Sequence, residues 1–394
     1  MKIFKWTISV LLWTVITVNV LFLGISHLPS AQHYMGAKVA EAVGEMLGTS
    51  VSIGRVDLGM LNRLIIDDLV ILDQNSQEMV RAARMSVSMD LLPLLDGKVA
   101  ISSAQLFGAR FRLYRQDADS PLNCQFAIDS LASSDTTSQK PLYLRVNSLI
   151  IRHSSLTFDQ HDKPQTEGLL NTAHLRVSDI SAHINLKTLT DDSLNVNVKR
   201  LSFNEHSGLS LKSLNGRLEA GRTHAILRDF KLQMPSSLLQ IDTLTADYAT
   251  DGNRLKPGSL SFAGDISDSH ITPSDLRSFS TALKNFQRPV SLQASFNGTD
   301  HRVNIPDLRI STSEDDIDVQ VNGWLENRQK QLAWHLQMNR FQLSETSIDF
   351  LSKTIPGIPT EITRLGSLMM NGTTDRDTSG YTTLKATVQS GAET

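Results

Sequence analysis

Cysteine is nearly absent from this sequence, which has a single one, Cys124, among 394 residues. One thiol cannot form an internal disulfide, so packing and hydrogen bonds alone must hold the fold together. A disulfide-rich secreted scaffold is thereby excluded, although an oxidising compartment is still tolerated. Phe126 and Ile128 follow Cys124 closely, which predicts a small core residue at this position rather than a reactive thiol.

The chain also lacks an excess of either charge, since 38 Lys and Arg residues face 41 Asp and Glu residues, a formal net charge of −3. Aromatic residues make up only 6% of the chain, and no basic patch is interleaved with them. This combination argues against nucleic-acid binding. Hydrophobic residues, at 40%, are close to the usual level for a folded protein, so disorder is not expected.

Catalytic motifs are missing as well. The 11 histidines form no H-E-x-x-H pair, and the chain has neither a G-x-S-x-G elbow nor a G-x-x-x-x-G-K-[ST] loop. The densest acidic cluster, Glu314 to Asp318, lacks the glycine-punctuated spacing of a calcium loop, so we interpret it as a solvated turn or strand edge. We therefore predict that the protein is not an enzyme and that it has no cofactor and no metal site.

One long hydrophobic run is present, from Trp6 to Ile25, and it contains no Asp, Glu, Lys, Arg, Pro or His. About 20 apolar residues are what a helix needs to cross a bilayer. Lys2 and Lys5 precede the run, and positive charge stays on the cytoplasmic side. We predict a cytoplasmic tail over 1–5 and a transmembrane helix over 6–26. The predicted anchor residues are Trp6, Trp13, Leu21, Phe22 and Ile25.

A cleaved signal peptide is the alternative interpretation of the same run, because Gly24-Ile25-Ser26 offers a small-x-small cleavage site. A signal core is usually only about 7–15 residues long. Since the run is long enough to span a bilayer, we favour the retained anchor. Either way, the rest of the chain is exported.

An amphipathic helix is predicted from Leu28 to Gly48, with Pro29 suited to its start and Gly48 to its end. Its apolar stripe recurs at helical spacing. We favour a helix that packs on the first strands over one that lies at the membrane surface, because the segment has only one basic residue. The stripe consists of Leu28, Met35, Val39, Val43, Met46 and Leu47.

From Val51 onward the hydrophobic period changes to two, which predicts strands. We expect tight turns at five dipeptides: Asp96-Gly97, Asp251-Gly252, Asn297-Gly298, Asn322-Gly323 and Asn371-Gly372. Three short helical segments interrupt the pattern, at 91–95, 274–286 and 343–355. The polar stretch 129–140 predicts a linker between an N-terminal part, 27–128, and a continuing sheet, 141–394.

One six-residue pattern recurs along the strands. It consists of an apolar residue, two mostly polar residues, a second apolar residue, a residue of any type and a third apolar residue. Residues three apart on a regular strand point to opposite faces. A bulge at the polar pair would return both apolar residues to one face and increase the twist. The pattern therefore predicts a long, twisted sheet with one apolar face. Its instances begin at Ile66, Ile101, Val146, Val198, Leu227, Ile241, Ile305 and Met338.

This apolar face allows two interpretations. It can pack on a second sheet, as in a sandwich, or it can remain open and bind an apolar ligand, for which an acyl chain is the obvious choice in a membrane-anchored protein. The candidate lining residues of such a groove are Leu142, Leu144, Val146, Leu194, Val196, Val198, Val319 and Val321.

The order of several motifs resembles the AsmA-like and TamB-like envelope proteins of Gram-negative bacteria. A single N-terminal anchor and an amphipathic helix are followed by GTSVSIGRVD at 48–57 and NRLIIDDLVILD at 62–73. LLPLLDGKVAISSAQL at 91–106 is similar to the start of the family's second set of strands, and SPLNCQF at 120–126 to the end of that unit. The segments 274–279 and 290–298, and PTEITRLG at 359–366, are similar to later family units.

The resemblance implies a repeating β-groove, a U-shaped sheet with an apolar interior. It also implies a place in the bacterial inner membrane, with one membrane crossing and the bulk of the chain in the periplasm. The expected function is phospholipid transfer between the inner and outer membranes, with acyl chains as ligand. The alternative is assembly of outer-membrane β-proteins together with a barrel partner. Because TamB-like chains are longer and end in a C-terminal β-domain, we interpret the chain as an N-terminal portion of such a protein.

Overall fold

The computed structural model describes residues 13–14, 17, 24, 28–59, 63–90, 99–132, 142–143, 147–166, 168–190, 193–251, 254–312, 316–328, 331–354 and 360–391. Contacts divide the chain into two compact units. Unit 1 comprises Met1–Gln165 and Thr172–Ser181, and unit 2 comprises Thr166–Asn171 and Ala182–Thr394. Both units are mainly β, which confirms the predicted class.

Most of the predicted membrane anchor lies outside the described residues. Trp13, Thr14, Thr17 and Gly24 are described, and each is helical. Among the described residues, we find no helix that combines the length and the apolar character needed to cross a membrane.

Unit 1 begins with a helix and continues as an antiparallel sheet. Strands β1 to β4 each pair antiparallel with the next, whereas β5 and β6 pair parallel with β4. A parallel pair needs a long crossover, and the segment between β4 and β6 supplies it. The elements are α1 (Pro29–Leu47), β1 (Val51–Gly59), β2 (Arg63–Leu72), β3 (Glu78–Asp90), β4 (Val99–Arg115), α2 (Gln125–Ala132), β5 (Leu142–Tyr143), β6 (Ser148–Gln160) and the first part of β7 (His174–Thr190).

Unit 2 is a run of antiparallel strands in which each strand pairs with its neighbour in the chain, apart from a small two-stranded ribbon formed by β12 and β13. After the rest of β7, its elements are β8 (Ser193–Glu205), β9 (Ser210–Ala220), β10 (His224–Gln233), β11 (Leu238–Asp247), β12 (Thr250–Asp251), β13 (Arg254–Leu255), β14 (Ser261–Ile271), β15 (Val290–Thr299), β16 (Arg302–Thr312), β17 (Ile317–Arg328), β18 (Gln331–Leu343), α3 (Glu345–Thr354), β19 (Leu368–Arg376) and β20 (Thr382–Ser390).

Helix α1 has the predicted bounds and packs on the first strands, as expected. Pro29 occupies its first turn, and Gly48 ends it in the left-handed conformation, with φ of 68°. Met35 and Val39 pack against the unit 1 core formed by Val56, Ile66, Leu69, Ala82 and Ala109. Leu28 and Met46 are exposed, so the contact stripe is narrower than predicted. Gly36 lies close to the backbone of β1, and a Cβ added there would be in van der Waals contact with Ile53 and Arg55.

Five of the polar pairs in the recurring pattern are sites of β-bulges, as predicted. In β10, the register against β9 shifts between Arg228 and Lys231, and Asp229 within this interval has φ of 53°. Pairing shifts in the same way at the polar pairs of β8, β11, β16 and β18. In β2, Ile66 and Leu69 are three residues apart, yet both are buried in one core. The bend at the polar pair therefore returns both apolar side chains to one face.

Asparagine–glycine pairs have a different role from the one predicted. Asn297-Gly298 lies within β15, Asn322-Gly323 within β17 and Asn371-Gly372 within β19, so the turn prediction is wrong at these three positions. Gly323 and Gly372 each stand opposite the bulge of the preceding strand. Their φ angles are 150° and 151°. A glycine without a Cβ can follow the sharp local twist that a bulge imposes on its partner strand.

Of the two other predicted turns, Asp96-Gly97 lies outside the described residues. At Asp251-Gly252, Asp251 of β12 pairs with Arg254 of β13, as a tight hairpin requires.

The predicted helix over 274–286 is replaced by two short 3-10 turns, Pro273–Leu276 and Thr281–Asn285. Asp275 is only 4% exposed, and its carboxylate accepts hydrogen bonds from the Ser236 backbone N–H and the Ser237 hydroxyl. Ser278 is fully buried and donates to the Ser207 carbonyl. These bonds to neighbouring loops fix the segment in a path that a continuous helix would not follow.

The remaining helix predictions fare differently. Helix α3 lies within the predicted range 343–355. The apolar turn predicted at 91–95 lies outside the described residues. Helix α2 extends to Ala132, so the predicted linker cannot begin at Asp129, because residues 129–132 are helical. The contact boundary between the units falls later, within β7.

The Gly323 conformation yields a stability prediction. Gly323→Ala places a Cβ against the His335 carbonyl oxygen at a backbone angle that favours glycine, so we expect a loss of about 3 kcal/mol or more in the free energy of unfolding. Gly258→Ala is the control, because Gly258 has φ of 78° with open space around it. That variant should cost only about 1–2 kcal/mol. Urea denaturation compares the two, and equal losses would refute the steric explanation.

Candidate functional site

The strands of unit 2 align their apolar residues in rows that cross the sheet. Three such rows cross β17, at Val319, Val321 and Leu325. Because these residues are an even number of positions apart on the strand, the three rows lie on one face of the sheet. We call this surface the apolar face. Its first row is Leu194, Ala220, Ala225, Ala246, Phe262, Gly298, Val303, Leu325 and Trp334. Its second is Phe230, Ile241, Ile266, Ala294, Leu308, Val321, Met338 and Gly372. Its third is Leu292, Ile310, Val319, Phe341, Met370 and Val388.

Five of the eight candidate lining residues belong to this face. Leu194, Val196 and Val198 alternate along β8, and the first row links Leu194 directly to β17, where Val319 and Val321 lie. Leu142 is in β5, and nothing further is described for its side chain. Leu144 and Val146 lie outside the described residues. Of the predicted anchor residues, Trp13 is helical and exposed. Trp6, Leu21, Phe22 and Ile25 lie outside the described residues.

The apolar face is large and retains partial exposure. At about 4.8 Å between strands, a row that crosses the nine strands from β8 to β18 extends roughly 40 Å. The distance from Val319 to Leu325 along β17 adds about 20 Å in the other direction. Monomeric soluble proteins rarely expose apolar patches beyond a few hundred Å².

Exposure at individual residues favours an open face over a sandwich core. Val196, Leu227, Leu244 and Val321 are each half-buried rather than buried, whereas the inner face of a sandwich is a closed core about 10 Å thick. Met338 is buried, at 7% exposure. Toward the end of the sheet, Val388 is 52% exposed. Among the described residues of unit 2, these half-buried positions are covered less completely than the inner face of a sandwich would be.

The glycines of this face were not predicted to belong to it. A Cβ on Gly216 would contact the side chains of Leu227 and Phe230, and one on Gly264 would crowd Leu244 and Phe296. These glycines therefore make room for larger neighbours on the apolar face. The sequence contains a signal for the position of Gly216. Gly216, Gly323 and Gly372 each follow an apolar residue and an asparagine, so the three share one local motif.

The opposite face is polar and carries cross-strand ion pairs. In unit 1, Arg55, Asp67 and Arg84 are direct neighbours on β1, β2 and β3. Nε of Arg55 and Nε of Arg84 each lie 2.6 Å from a different carboxylate oxygen of Asp67. The Arg84 hydrogen bond is the largest cause that holds the pKa of Asp67 below its usual value, with Arg55 adding to it and burial opposing it.

The motif at 120–126 has a structural role around Asp73, in the turn between β2 and β3. The Asn123 side-chain amide donates to the Asp73 carboxylate, and the Tyr114 hydroxyl donates to the same oxygen at 2.8 Å. Backbone N–H groups of Asn75 and Gln77 donate to its other oxygen. Asn123 therefore ties the end of the first strand set to its first turn. Cys124, next to it, is half-buried, and burial raises the pKa of its thiol.

The acidic cluster at 314–318 holds structural ion pairs where it is described. Asp316 pairs with Arg288, and Asp318 lies 2.8 Å from Nε of Arg340. Both carboxylates are largely shielded, at 17% and 15% exposure. Glu314 and Asp315 lie outside the described residues. Among the described residues, no group of three or more acidic, His or Cys side chains is placed to hold a metal ion.

Comparisons of the chain with protein-family models, with curated proteins and with solved structures find no match. The resemblance drawn from the sequence therefore rests on the order of its motifs alone.

The Asp67 network predicts a pH-dependent contribution to stability. Because the pKa of Asp67 is lower in the folded chain than its ordinary value of 3.8, its contribution is present above that value and is lost as the pH falls through the folded pKa. We expect Asp67→Asn to lower the free energy of unfolding by about 1–2 kcal/mol at neutral pH. The difference from the parent should shrink and disappear as the pH falls below 3.8 and through the folded-state pKa of Asp67.

Denaturant titrations at several pH values measure this difference. Asp307→Asn is the control, since Asp307 forms an exposed pair with Arg309, at 50% and 58% exposure, and should change little at any pH. A constant difference for Asp67→Asn across the acid range would contradict the assignment.

Proposed function

We propose that this chain is an envelope protein of the AsmA-like and TamB-like type, which carries phospholipid acyl chains on its apolar face. In this proposal the run at 6–26 anchors it in the inner membrane, and the strands extend into the periplasm. The observation that carries the proposal is the continuous, half-exposed apolar face of unit 2. The chain acts as a conduit and performs no chemical reaction, so it needs neither a cofactor nor a metal ion.

The dimensions of the face fit acyl chains. One leaflet of a bilayer is about 15 Å thick in its hydrocarbon region, so the roughly 20 Å between Val319 and Leu325 accommodates the length of one chain. Burial of each methylene contributes about 0.8 kcal/mol. The polar groups of the backbone are paired within the ladders, so the face offers dispersion contacts and no competing hydrogen-bond donors.

Unit 1 differs from unit 2 in a way that suits an entry end. Helix α1 covers the apolar side of β1 and β2, where Val56 and Ile66 are buried at 1% and 4% exposure. Farther along the chain, the described strands of unit 2 have half-exposed apolar rows. Because α1 follows the predicted anchor directly in sequence, the covered end of the sheet would lie nearest the membrane.

A charge on the apolar face tests the conduit. We expect Val196→Asp to lower the amount of co-purified phospholipid and the transfer rate between donor and acceptor vesicles by at least about tenfold, since a carboxylate among acyl chains is costly to desolvate. Asn197→Asp is the matched control, because Asn197 is the next residue and pairs with Arg217 on the polar face. Native mass spectrometry counts bound lipid, and circular dichroism checks that both variants fold.

Absence of bound lipid from the unsubstituted protein would contradict the conduit proposal. Equal rates of lipid transfer by the two variants would contradict it as well.

Sheet-edge pairing with a β-barrel or another β-protein is the second candidate. One observation favours it: within the described residues, β20 pairs on one side only, with β19, and exposes Leu384 and Val388 at 56% and 52%. β1, also an edge strand, is instead covered by α1 at Gly36. An open edge with apolar side chains can accept an added strand.

Proline scanning separates this candidate from the conduit. Ala386→Pro and Thr387→Pro remove successive backbone N–H groups, of which one faces β19 and the other faces the open edge. The edge-facing variant should fold normally, retain bound lipid and lose at least about tenfold in affinity for a β-strand partner, measured by co-purification with outer-membrane barrel proteins. Unchanged capture by that variant would exclude pairing at this edge.

A further inference from the structure

A cavity of about 650 Å³ lies in unit 1, beside the charged side chains of its first strands. Cavities that bind small molecules are typically about 300–1,000 Å³. His33 from α1 forms one wall, and residues of β1, β2, β3, β4 and β6 form the rest. The side chains of interest here are Arg55, Asp67, Arg84, Phe107 and His153.

A transverse crease in the sheet produces this cavity. Asp68 and His153 have φ of 54° and 48°, and Gly108 between them in the sheet has φ of 59°. The pairing is interrupted at these positions and at Gly54 and Ala83, which complete the line across the strands. The side chains beside the crease, Arg55, Asp67 and Arg84 among them, therefore surround a concave surface.

Two guanidinium groups beside the cavity remain about half exposed although they share one carboxylate. Asp67 is 11% exposed and shared between Arg55 and Arg84, whose side chains are 52% and 55% exposed. Arg152 lies over the ring of Phe107, with 5.8 Å from Cζ to the ring centroid. Asp68 is the other carboxylate that lines the cavity. The charged side chains that line the cavity are thus two arginines and two carboxylates, with Arg152 beside it and Asp57 close enough to raise the pKa of Arg84.

The same polar face carries more arginine beyond the cavity. Arg81 of β3 pairs directly with Arg110 of β4, and Arg112 lies two residues farther along β4. Glu78 is the carboxylate that approaches Arg81 and Arg112, at 2.6 Å and 3.9 Å. Guanidinium groups on neighbouring strands match the geometry of phosphate oxygens, which they bind with two parallel hydrogen bonds.

Phe107, His33 and His153 indicate the chemistry of the part of the ligand that lies beyond its anionic group. Phe107 is 42% exposed, and its ring centroid lies 6.1 Å from that of His153. An exposed aromatic ring beside arginines provides an apolar wall for the organic part of a ligand, and the imidazoles of His33 and His153 supply further hydrogen-bonding atoms.

We propose that this cavity binds a phosphate group through Arg55 and Arg84, with Phe107 in contact with the organic part of the molecule. The ligand is a lipid headgroup phosphate diester or a free phosphate. The site shares no residue with the apolar face, because all the residues that line the cavity belong to unit 1.

A second, smaller crease cavity provides the comparison. It has a volume of about 270 Å³ and is lined by Lys199, Arg217 and Asp229, among others, in unit 2. Arg217 lies 3.4 Å from Asp229, and both side chains are exposed, at 60% and 64%. None of the described residues that line it is aromatic. A substitution of Arg217 therefore removes a guanidinium from a similar crease without touching the proposed site.

Titration calorimetry on the full chain in a nonionic detergent tests the proposal with two soluble probes, inorganic phosphate and glycerophosphoglycerol. The second is a headgroup diester without acyl chains, so it cannot report on the apolar face. We expect saturable binding of at least one probe. Arg55→Gln should weaken it at least about tenfold, Arg55→Lys should weaken it less, and Arg217→Gln should leave it unchanged.

Arg55 is the better choice for substitution than Arg84, because Arg84 keeps Asp67 paired when Arg55 is lost, and thermal unfolding checks that the variants fold. If glycerophosphoglycerol binds more tightly than inorganic phosphate, and if Phe107→Ala removes this difference, the ligand is a lipid headgroup. Tighter binding of inorganic phosphate would identify a free phosphate. Absence of saturable binding of either probe, or equal weakening by Arg217→Gln and Arg55→Gln, would overturn the proposal.

Discussion

The bend at each polar pair is the constraint on which the sheet depends. On a flat strand, Ile66 and Leu69 or Leu227 and Phe230 would point to opposite faces, and half of the apolar residues would face water. One residue inserted into the register, or one residue in the left-handed conformation, returns both to the same face. Because successive strands bend at neighbouring positions, each glycine opposite a bulge, such as Gly323, allows the partner strand to follow the same twist.

This repeated bend separates the two surfaces of the sheet. The first apolar row runs from Leu194 to Trp334, while Asn197 and Arg217 pair on the other side. Helices cover only parts of the apolar surface of each unit. In unit 1, α1 packs over the first strands, and in unit 2, α3 places Ile348 against Leu343 and Leu368. Outside the part of unit 2 that α3 covers, the apolar rows are half-exposed, and burial of such surface against an apolar ligand is favourable.

The polar surface gains its own features from the same geometry. The residues at the bends are Asp68, His153, Asp179, Asp229 and Asp268, which are polar and tolerate a positive φ better than β-branched residues do. Their strands place charged side chains along a crease, where a carboxylate such as Asp67 can be shared by arginines from two neighbouring strands. The same bends therefore order the apolar side chains on one face and the charged side chains on the other.

The sequence by itself determined the local features of this protein. Pro29 and Gly48 bounded α1, period-two alternation located β8 and β17, and the polar pairs marked the bulges, because each depends on neighbours a few residues apart. The tertiary structure decided what depends on distant partners. Asn322-Gly323 became part of a strand because it faces the bulge in β16, and 274–286 divided into two short turns because Asp275 bonds to the 236–237 loop. The register across nine strands placed Leu194 and Val321 on one face, since pairing between strands is not encoded in the pattern of either strand alone.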